Sequence, residues 1–482
     1  MLNKKTLIKA LLAGGLTCCL LQCSDPSPSP GFTPEPAPDD ETGIVEVYLT
    51  TGDQQNLLKR LTPIKLGGKL AGFTISLDST VLHQEMDGFG AALTGSSAYL
   101  LKNMLDAKRA EILQKIFDPS NGIGMSYLRL TIGSSDFSLG NYSYCDLADI
   151  TRFGIPDIDQ RDLLPVLKEI LAINPDLKIL ASPWSAPAWM KQNNHMNGGS
   201  LIATPEIYAA FADYFVKYVE AFEQEGIRID AITLQNEPLH ETGGYPTMKM
   251  EWQEQSEIIK NYLGPRFVAN NITTKIIIYD HNWDMWSYPN NILKDPETQV
   301  FVDGSGFHGY GGTYPAMGTL HNLHPDKALY FTEQSAGGWG DGFAGDLKWH
   351  AENIFTGPIN NWSKNVLMWN LALNPQSGPT NGGCTNCRGV ATISGNAYSF
   401  NEEYYIIGHF SKFVHKGACR ITHSLTGSCS NFFCSAFINA NGSKVLFAAN
   451  NSNVAQNFNV RCGNREFNYI IPAISVVTFT WK

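Results

Sequence analysis

Positive charge is scarce in this sequence. Thirty-five Lys and Arg stand against 45 Asp and Glu, for a formal net charge of −10. Nucleic acid is therefore excluded as a partner, because phosphate binding needs a basic face. Charged residues of either sign make up only 17% of the 482 residues, against 43% hydrophobic, the balance of a well-packed soluble protein. The apolar run from Leu7 to Leu21 is too short to span a bilayer comfortably, since a membrane helix needs about 20 such residues. There is no internal repeat, and no second CxxC accompanies Cys384-Thr-Asn-Cys387. A lone CxxC in a Gly-rich loop argues for a short local disulfide rather than zinc or redox chemistry. No metal or organic cofactor is indicated, and no protein partner is inferable.

What is present begins at the N-terminus. Lys4 and Lys5 precede the apolar run, which ends in Leu20-Leu21-Gln22-Cys23. This resembles a bacterial lipobox with Cys23 as the lipidated residue, although Gln22 is unusual there; Cys18, Cys19 or an ordinary secretory signal are the alternatives. Residues 1–22 then form the signal and residues 23–43 a Pro/Ser/acidic tether that cannot bury a core. The expected location is exported, lipid-anchored to a bacterial membrane. Setting aside Cys18, Cys19 and Cys23 leaves seven of the ten cysteines, an odd number, so at least one stays free.

The length suits a barrel plus an accessory module. Between Met86 and Leu373 short apolar runs alternate with amphipathic stretches, the signature of parallel strands with helical crossovers. Eight strands are predicted: Gly88–Thr94, Met125–Ile132, Leu177–Pro183, Ala231–Asn236, Lys275–Asp280, Gly306–Tyr310, Ala328–Thr332 and Val366–Leu371. Helices are predicted over Ser97–Ile116, Asp159–Ile173, Pro205–Glu225, Trp252–Phe267 and Asp346–Trp362. Residues 288–300 and 319–326 carry a weaker helical signal. The fold class is α/β, a (β/α)8 TIM barrel over residues 86–388. Residues 44–85 and 389–482, rich in alternation and Gly/Asn turns, combine into an accessory β-sandwich interrupted by one helix, Glu403–Val414.

In such a barrel the active site lies at the C-terminal ends of the strands. Those ends carry polar and aromatic residues in series: Thr94-Gly95, Arg129 with Asp136 beyond it, Trp184, Asn236-Glu237, Asp280-His281, His308-Gly309-Tyr310, Glu333 and Trp369-Asn370. Glu237 and Glu333 follow strands four and seven, which face each other across a barrel mouth. Glycoside hydrolysis needs two such carboxyl groups, one protonated and one ionised. Asn236 is placed to contact a sugar 2-hydroxyl. Arg129 reads as an electrostatic buttress of Glu333 or Glu237 rather than a sugar contact. Asp136 fits a structural hydrogen bond or a cleft role equally.

The runs GFGAALT, RLTIGSSDFS, SPWSAPAWMK, LQNEPLH, YFTEQSAGG and MWNLALNPQSGP resemble glycoside hydrolase family 30. The resemblance spans roughly Gly88 to Ser394 and implies a retaining double displacement with a β-sandwich beside the barrel. It implies Glu237 as acid/base and Glu333 as nucleophile. Trp184 and Trp369 would shape the subsite for the sugar that is transferred, and Asn236 would sit beside the acid/base. Tyr310 would orient the nucleophile, and Tyr245 would lie on the leaving-group side. Tyr245, His308 and His281 fit direct contact or a structural role.

Glucosylceramidases of the family carry Thr-Asp after the first strand, with an Asp that grips the terminal glucose. Here the pair is Thr94-Gly95, which suggests an open subsite and action within a chain. The GGCTNCRG loop also resembles the β-1,6-glucanase branch. The leading expectation is an endo-β-1,6-glucanase acting on a β-glucan polysaccharide or oligosaccharide. The alternatives are an exo-β-glucosidase or glucosylceramidase-like activity, a xylan-active enzyme, or a non-catalytic glycan-binding lipoprotein.

Overall fold

The computed structural model describes residues 43–482. The expected signal, all but the last residue of the expected tether, and the expected lipidation site Cys23 lie outside the described residues. Eight parallel strands close into a barrel: β1 (Gly88–Leu93), β2 (Tyr127–Thr131), β3 (Lys178–Ser182), β4 (Ala231–Thr233), β5 (Lys275–Asn282), β6 (Gly304–His308), β7 (Ala328–Glu333) and β8 (Ser363–Met368). Each coincides with one of the expected runs. The strands are buried on both faces, which is why they read as nearly continuous apolar runs rather than clean alternations.

Period-two geometry divides each strand between two cores. Tyr127, Leu180, Ala231, Ile277, Tyr330 and Leu367 form one small cluster, a layer filling the barrel interior. The neighbouring residues, Leu128 and Ile179 among them, join the large cluster that packs against the surrounding helices. Two residues beyond the interior layer come Arg129, Ser182, Thr233, Thr332 and Trp369. One step along the barrel axis therefore changes its filling from hydrocarbon to polar groups.

The helices depart from expectation in detail. The predicted Ser97–Ile116 helix is two, Gly95–Lys102 and Asp106–Phe117, because Asn103 caps the first by donating back to Leu101 and Tyr99. Wider π-helical turns at Asp159–Leu163, Ile259–Leu263 and His350–Thr356 interrupt three others. The weakly signalled stretches hold short helices, Ser287–Leu293, Pro296–Gln299 and Pro315–Leu323, the latter two opened by proline at the first helical position.

The second module draws on both ends of the chain. Strands Ile44–Thr51 and Phe73–Glu85 interleave with six others between Cys419 and Trp481 in a ten-stranded sheet completed by two shorter strands. Its core, including Phe73, Ile75, Phe458 and Phe479, is separate from that of the barrel. Residues 391–411 stay with the barrel, so the change of module falls later than residue 389. Ala391–Ser394 pairs with Ala372–Leu373, and helix Glu402–Ser411 wedges between the modules. Its Phe410 meets Phe89 and Phe355 on the barrel side and Phe447 on the sandwich side. Cys384 and Cys387 form the expected local disulfide. Cys145, Cys419, Cys429, Cys434 and Cys462 are free among the described residues.

His409 on this helix is fully buried and bonds Thr478 and Thr50, both at 2.9 Å. Burial pushes its imidazole down to about 3, so it is neutral when folded but gains a proton near pH 6.5 once unfolded. The unfolded state therefore binds the extra proton, and stability drains away as pH falls from about 6.5 toward 3. Urea unfolding should show His409→Gln losing about 2 kcal/mol less than wild type between pH 7 and pH 5. Equal pH slopes would contradict the assignment.

Candidate active site

Two irregularities re-aim the strand ends. Along β5 the pairing with β6 skips Asp280, and Tyr279 and Asp280 both have positive φ. Along β7 the pairing skips Thr332. Each bulge adds one residue and breaks the in-out alternation, so Asp280 enters the barrel and Thr332 and Glu333 both contact the same interior network. Glu237 also has a left-handed backbone, φ +46°, held where its N–H donates to the Asp280 carbonyl at 3.0 Å. Such conformations cost about 1–3 kcal/mol and persist where the surroundings fix them.

Arg129 stands at the centre and is fully buried. It donates to one oxygen of Glu333, to Asp280 at 2.8 Å and to the Asn236 carbonyl oxygen at 2.8 Å. Its guanidinium lies 4.8 Å from the Trp184 ring and 5.6 Å from that of Trp369. The two indoles stack on each other at 4.8 Å, so they insulate the cation from water as well as walling the site. Asp280 takes further hydrogen bonds from Ser182, Thr233, Thr332 and His308, at 3.1, 2.7, 2.6 and 3.0 Å.

The two glutamates meet above this base. Tyr310 donates its hydroxyl to the second oxygen of Glu333 at 2.9 Å, so both oxygens of that carboxylate are engaged. His308 Nδ1 bonds Glu237 Oε1 at 3.1 Å, and His281 Nε2 lies 3.8 Å from the same oxygen. One carboxylate oxygen each of Glu237 and Glu333 and one His308 nitrogen lie within 4.8 Å of one another. Oxygens this near one another are compatible with direct attack on the anomeric carbon, for which the two carboxyl groups stand about 5–5.5 Å apart. An inverting site holds a water between acids about 6.5–9.5 Å apart.

The model of the glycosyl hydrolase family 30 TIM-barrel domain matches residues 86–414, and that of the family's β-sandwich domain matches residues 417–479. The chain belongs to glycosyl hydrolase family 30. An endo-1,6-beta-D-glucanase of Aspergillus fumigatus is 35% identical, over 72% of this chain and 73% of its own. One from Trichoderma harzianum is 34% identical over 78% and 80%. The solved endo-beta1,6-glucanase BT3312 superposes with a TM-score of 0.87 at 38% identity, covering 91% of this chain and 99% of that one. The lysosomal acid glucosylceramidase of Mus musculus is 28% identical over 85% and 84%.

Within this family 30 barrel the charges nearly balance. Burial would raise Asp280, but Arg129 and His308 hold its carboxyl well below the usual range. Burial would lower His308, yet Glu333, Asp280 and Glu237 raise it to about 9. His281 is pushed down to about 4, chiefly by burial, and is neutral. Burial raises Glu333 and outweighs the pull of His308 and Arg129, whereas at Glu237 burial is outweighed by His308 together with His281 and His240, which lower the carboxyl. Those directions would put the spare proton on Glu333, but the hydrogen bonds put it on Glu237. A proton on Glu333 would displace a donor from an oxygen that Arg129 or Tyr310 already occupies. A third anion at Glu237, beside Asp280 and Glu333, would also outnumber the cations Arg129 and His308, at a steep cost in a buried site. Ionised Glu333 with a protonated Glu237 leaves the cluster neutral.

The structure thus gathers Arg129, Asn236, Glu237, His281, His308, Tyr310, Glu333, Trp184 and Trp369 in one cleft. Tyr245 stands on its edge, bonded to His240 at 2.9 Å and packed with the Trp184–Trp369 cluster beside the disulfide. Asp136 has an unpartnered buried oxygen, and burial plus Glu333 and Glu237 push its carboxyl well up; its backbone carbonyl fixes the 381–383 loop. Gly95 does not face empty space. A Cβ there would meet Ser138 Oγ at 3.4 Å and Tyr142 OH at 3.6 Å. Sequence reasoning placed Asp280 at the rim but gave it no role; its place after the apolar run Ile-Ile-Ile-Tyr was the signal that it is buried with Arg129.

A bell-shaped pH profile of kcat/KM follows, limited in acid by protonation of Glu333 and in alkali by loss of the Glu237 proton. His308 lowers Glu237, so His308→Asn should move the alkaline limb upward by roughly one pH unit while reducing kcat. An unmoved or lowered limb would contradict the coupling.

Proposed function

We propose that this chain is a retaining endo-β-1,6-glucanase with Glu333 as nucleophile and Glu237 as acid/base. The approach of the two carboxylates to within 4.8 Å carries the stereochemical part. The substrate is supported by the relatives named as endo-1,6-glucanases, which match about three quarters of this chain or more.

In the first step Glu333 attacks the anomeric carbon as Glu237 gives its proton to the glycosidic oxygen. The C–O bond breaks, the shortened chain leaves, and a glycosyl ester of Glu333 forms. In the second, Glu237, now a carboxylate, takes a proton from water, whose oxygen attacks the anomeric carbon and frees Glu333 with net retention. Arg129 and Tyr310 keep Glu333 ionised and aimed. With its carbonyl oxygen held by Arg129, Asn236 offers its NH2 to the substrate 2-hydroxyl. Their placement before substrate arrives is what makes such donors effective.

Glu333→Ala should abolish turnover, and azide should restore it with inverted product; full activity without azide would refute the nucleophile. Glu237→Ala should lose about 10²–10⁴-fold on natural glycosides but much less on substrates with good leaving groups. An equal loss on both would refute the acid/base. Digests of β-1,6-glucan beside laminarin, xylan and glucosylceramide should yield mixed-length gentio-oligosaccharides from the first alone. Release of glucose only would favour the exo reading.

The proposal extends to export and lipidation at Cys23, supported by Lys4-Lys5, the apolar run and Leu20-Leu21-Gln22-Cys23. Labelled palmitate should enter the wild-type protein and not Cys23→Ala. Equal labelling would overturn it.

A further inference from the structure

A second cleft of about 390 Å3 opens beside the glutamates, sharing Tyr310 with the catalytic site and extending past Gln334 to Trp339, Asp341 and Trp349. Its volume lies within the about 300–1,000 Å3 of small-molecule sites. None of the chemistry above uses it.

Its most prominent residue is Trp339, an indole 54% exposed. A water-facing tryptophan costs hydrophobic free energy unless something covers it, yet this ring is rigidly mounted. It lies over the backbone of Gly337, where any Cβ would collide with the ring and with the Asn386 carbonyl. Gly337 is itself clamped by strand pairing to Cys387, and Gly338 donates to Asn386 O at 2.8 Å. The benzo ring of the indole thus packs at Gly337 while about half of the residue is left to solvent. Trp349, 41% exposed, lines the same cleft.

The polar groups match hydroxyl chemistry. Gln334, only 4% exposed, lines the cleft from beneath its surface, with its Oε1 buried and without a hydrogen-bond partner. Asp341 stands at the rim. Flat apolar rings beside unpaired acceptors suit a pyranose, which has an apolar face and equatorial hydroxyls.

We propose that this cleft is a subsite for a further glucosyl unit of the chain being cut, with Trp339 as its stacking platform and Asp341 at the rim as a hydroxyl acceptor. The inference rests on the glucanase reading and adds a residue that sets chain-length preference. Continuity through Tyr310, which touches Glu333, puts the occupant on the same chain as the scissile bond rather than on a separate ligand.

The test measures kcat/KM of wild type, Trp339→Ala and Trp339→Phe on β-1,6-linked gluco-oligosaccharides of increasing length and on an aryl β-glucoside too short to reach the cleft. In wild type kcat/KM should rise with length. In Trp339→Ala the ratio of the longest oligomer to the aryl glucoside should fall about tenfold, in line with the worth of a stacked ring, and Trp339→Phe should recover much of it. An unchanged ratio, or an equal loss on all substrates, would overturn the subsite while leaving the glucanase reading intact. Wild type inactive on the whole series but active on the aryl glucoside would instead overturn the glucanase reading, and the subsite with it.

Discussion

Everything in the cleft depends on one buried cation. Arg129 has no exposure to solvent and binds two carboxylates, Asp280 and Glu333. Taking such charges out of water is expensive, and only complete pairing makes it tolerable. The surroundings supply that pairing: four side chains satisfy Asp280, while Trp184 and Trp369 close over the guanidinium. The network is therefore a unit. Deleting one member would leave an uncompensated charge, which typically costs 3–5 kcal/mol. The same arrangement poises the chemistry, because a group fixed by buried pairing needs no reorganisation when charge moves in the transition state.

Burial of this kind needs a rigid frame, and the barrel provides it by layering. The apolar ring of Tyr127, Leu180 and their neighbours supports the polar ring two residues above. The bulges at Asp280 and Thr332 bring Asp280 and Glu333 to the interior network, where strict alternation would point them outward. The left-handed backbone of Glu237 is tied to the Asp280 carbonyl, so the proposed acid is positioned by the main chain of the residue whose side chain binds Arg129. Strain, bulges and charge all concentrate at the same rim.

The barrel was legible because its strands are buried on both faces and read as short apolar runs between amphipathic helices. Glu237 and Glu333 stood out because a charge directly after an apolar strand has few bland explanations. Asp280 was not legible as the hub, since period two assigns its face only if no residue is bulged, and a bulge is set by contacts with the next strand. The helix break at Asn103 depends on a local cap. The allegiance of residues 391–411 to the barrel depends on packing with distant partners such as Phe89 and Phe355. At Gly95 the nearest groups, Ser138 and Tyr142, stand at ordinary contact distance from where a Cβ would be, so a small residue leaves room there.

The central claim is that Glu333 is the ionised partner held by Arg129 and Tyr310, ready to bond to carbon. A 2-deoxy-2-fluoro-β-glucoside with a good leaving group tests it most directly, because the fluorine slows release of the glycosyl ester more than its formation. After inactivation and proteolysis, mass spectrometry should find one fluoroglucosyl group, on the peptide containing Glu333. A label on Glu237, or hydrolysis of the reagent to inverted sugar with no adduct, would contradict the account.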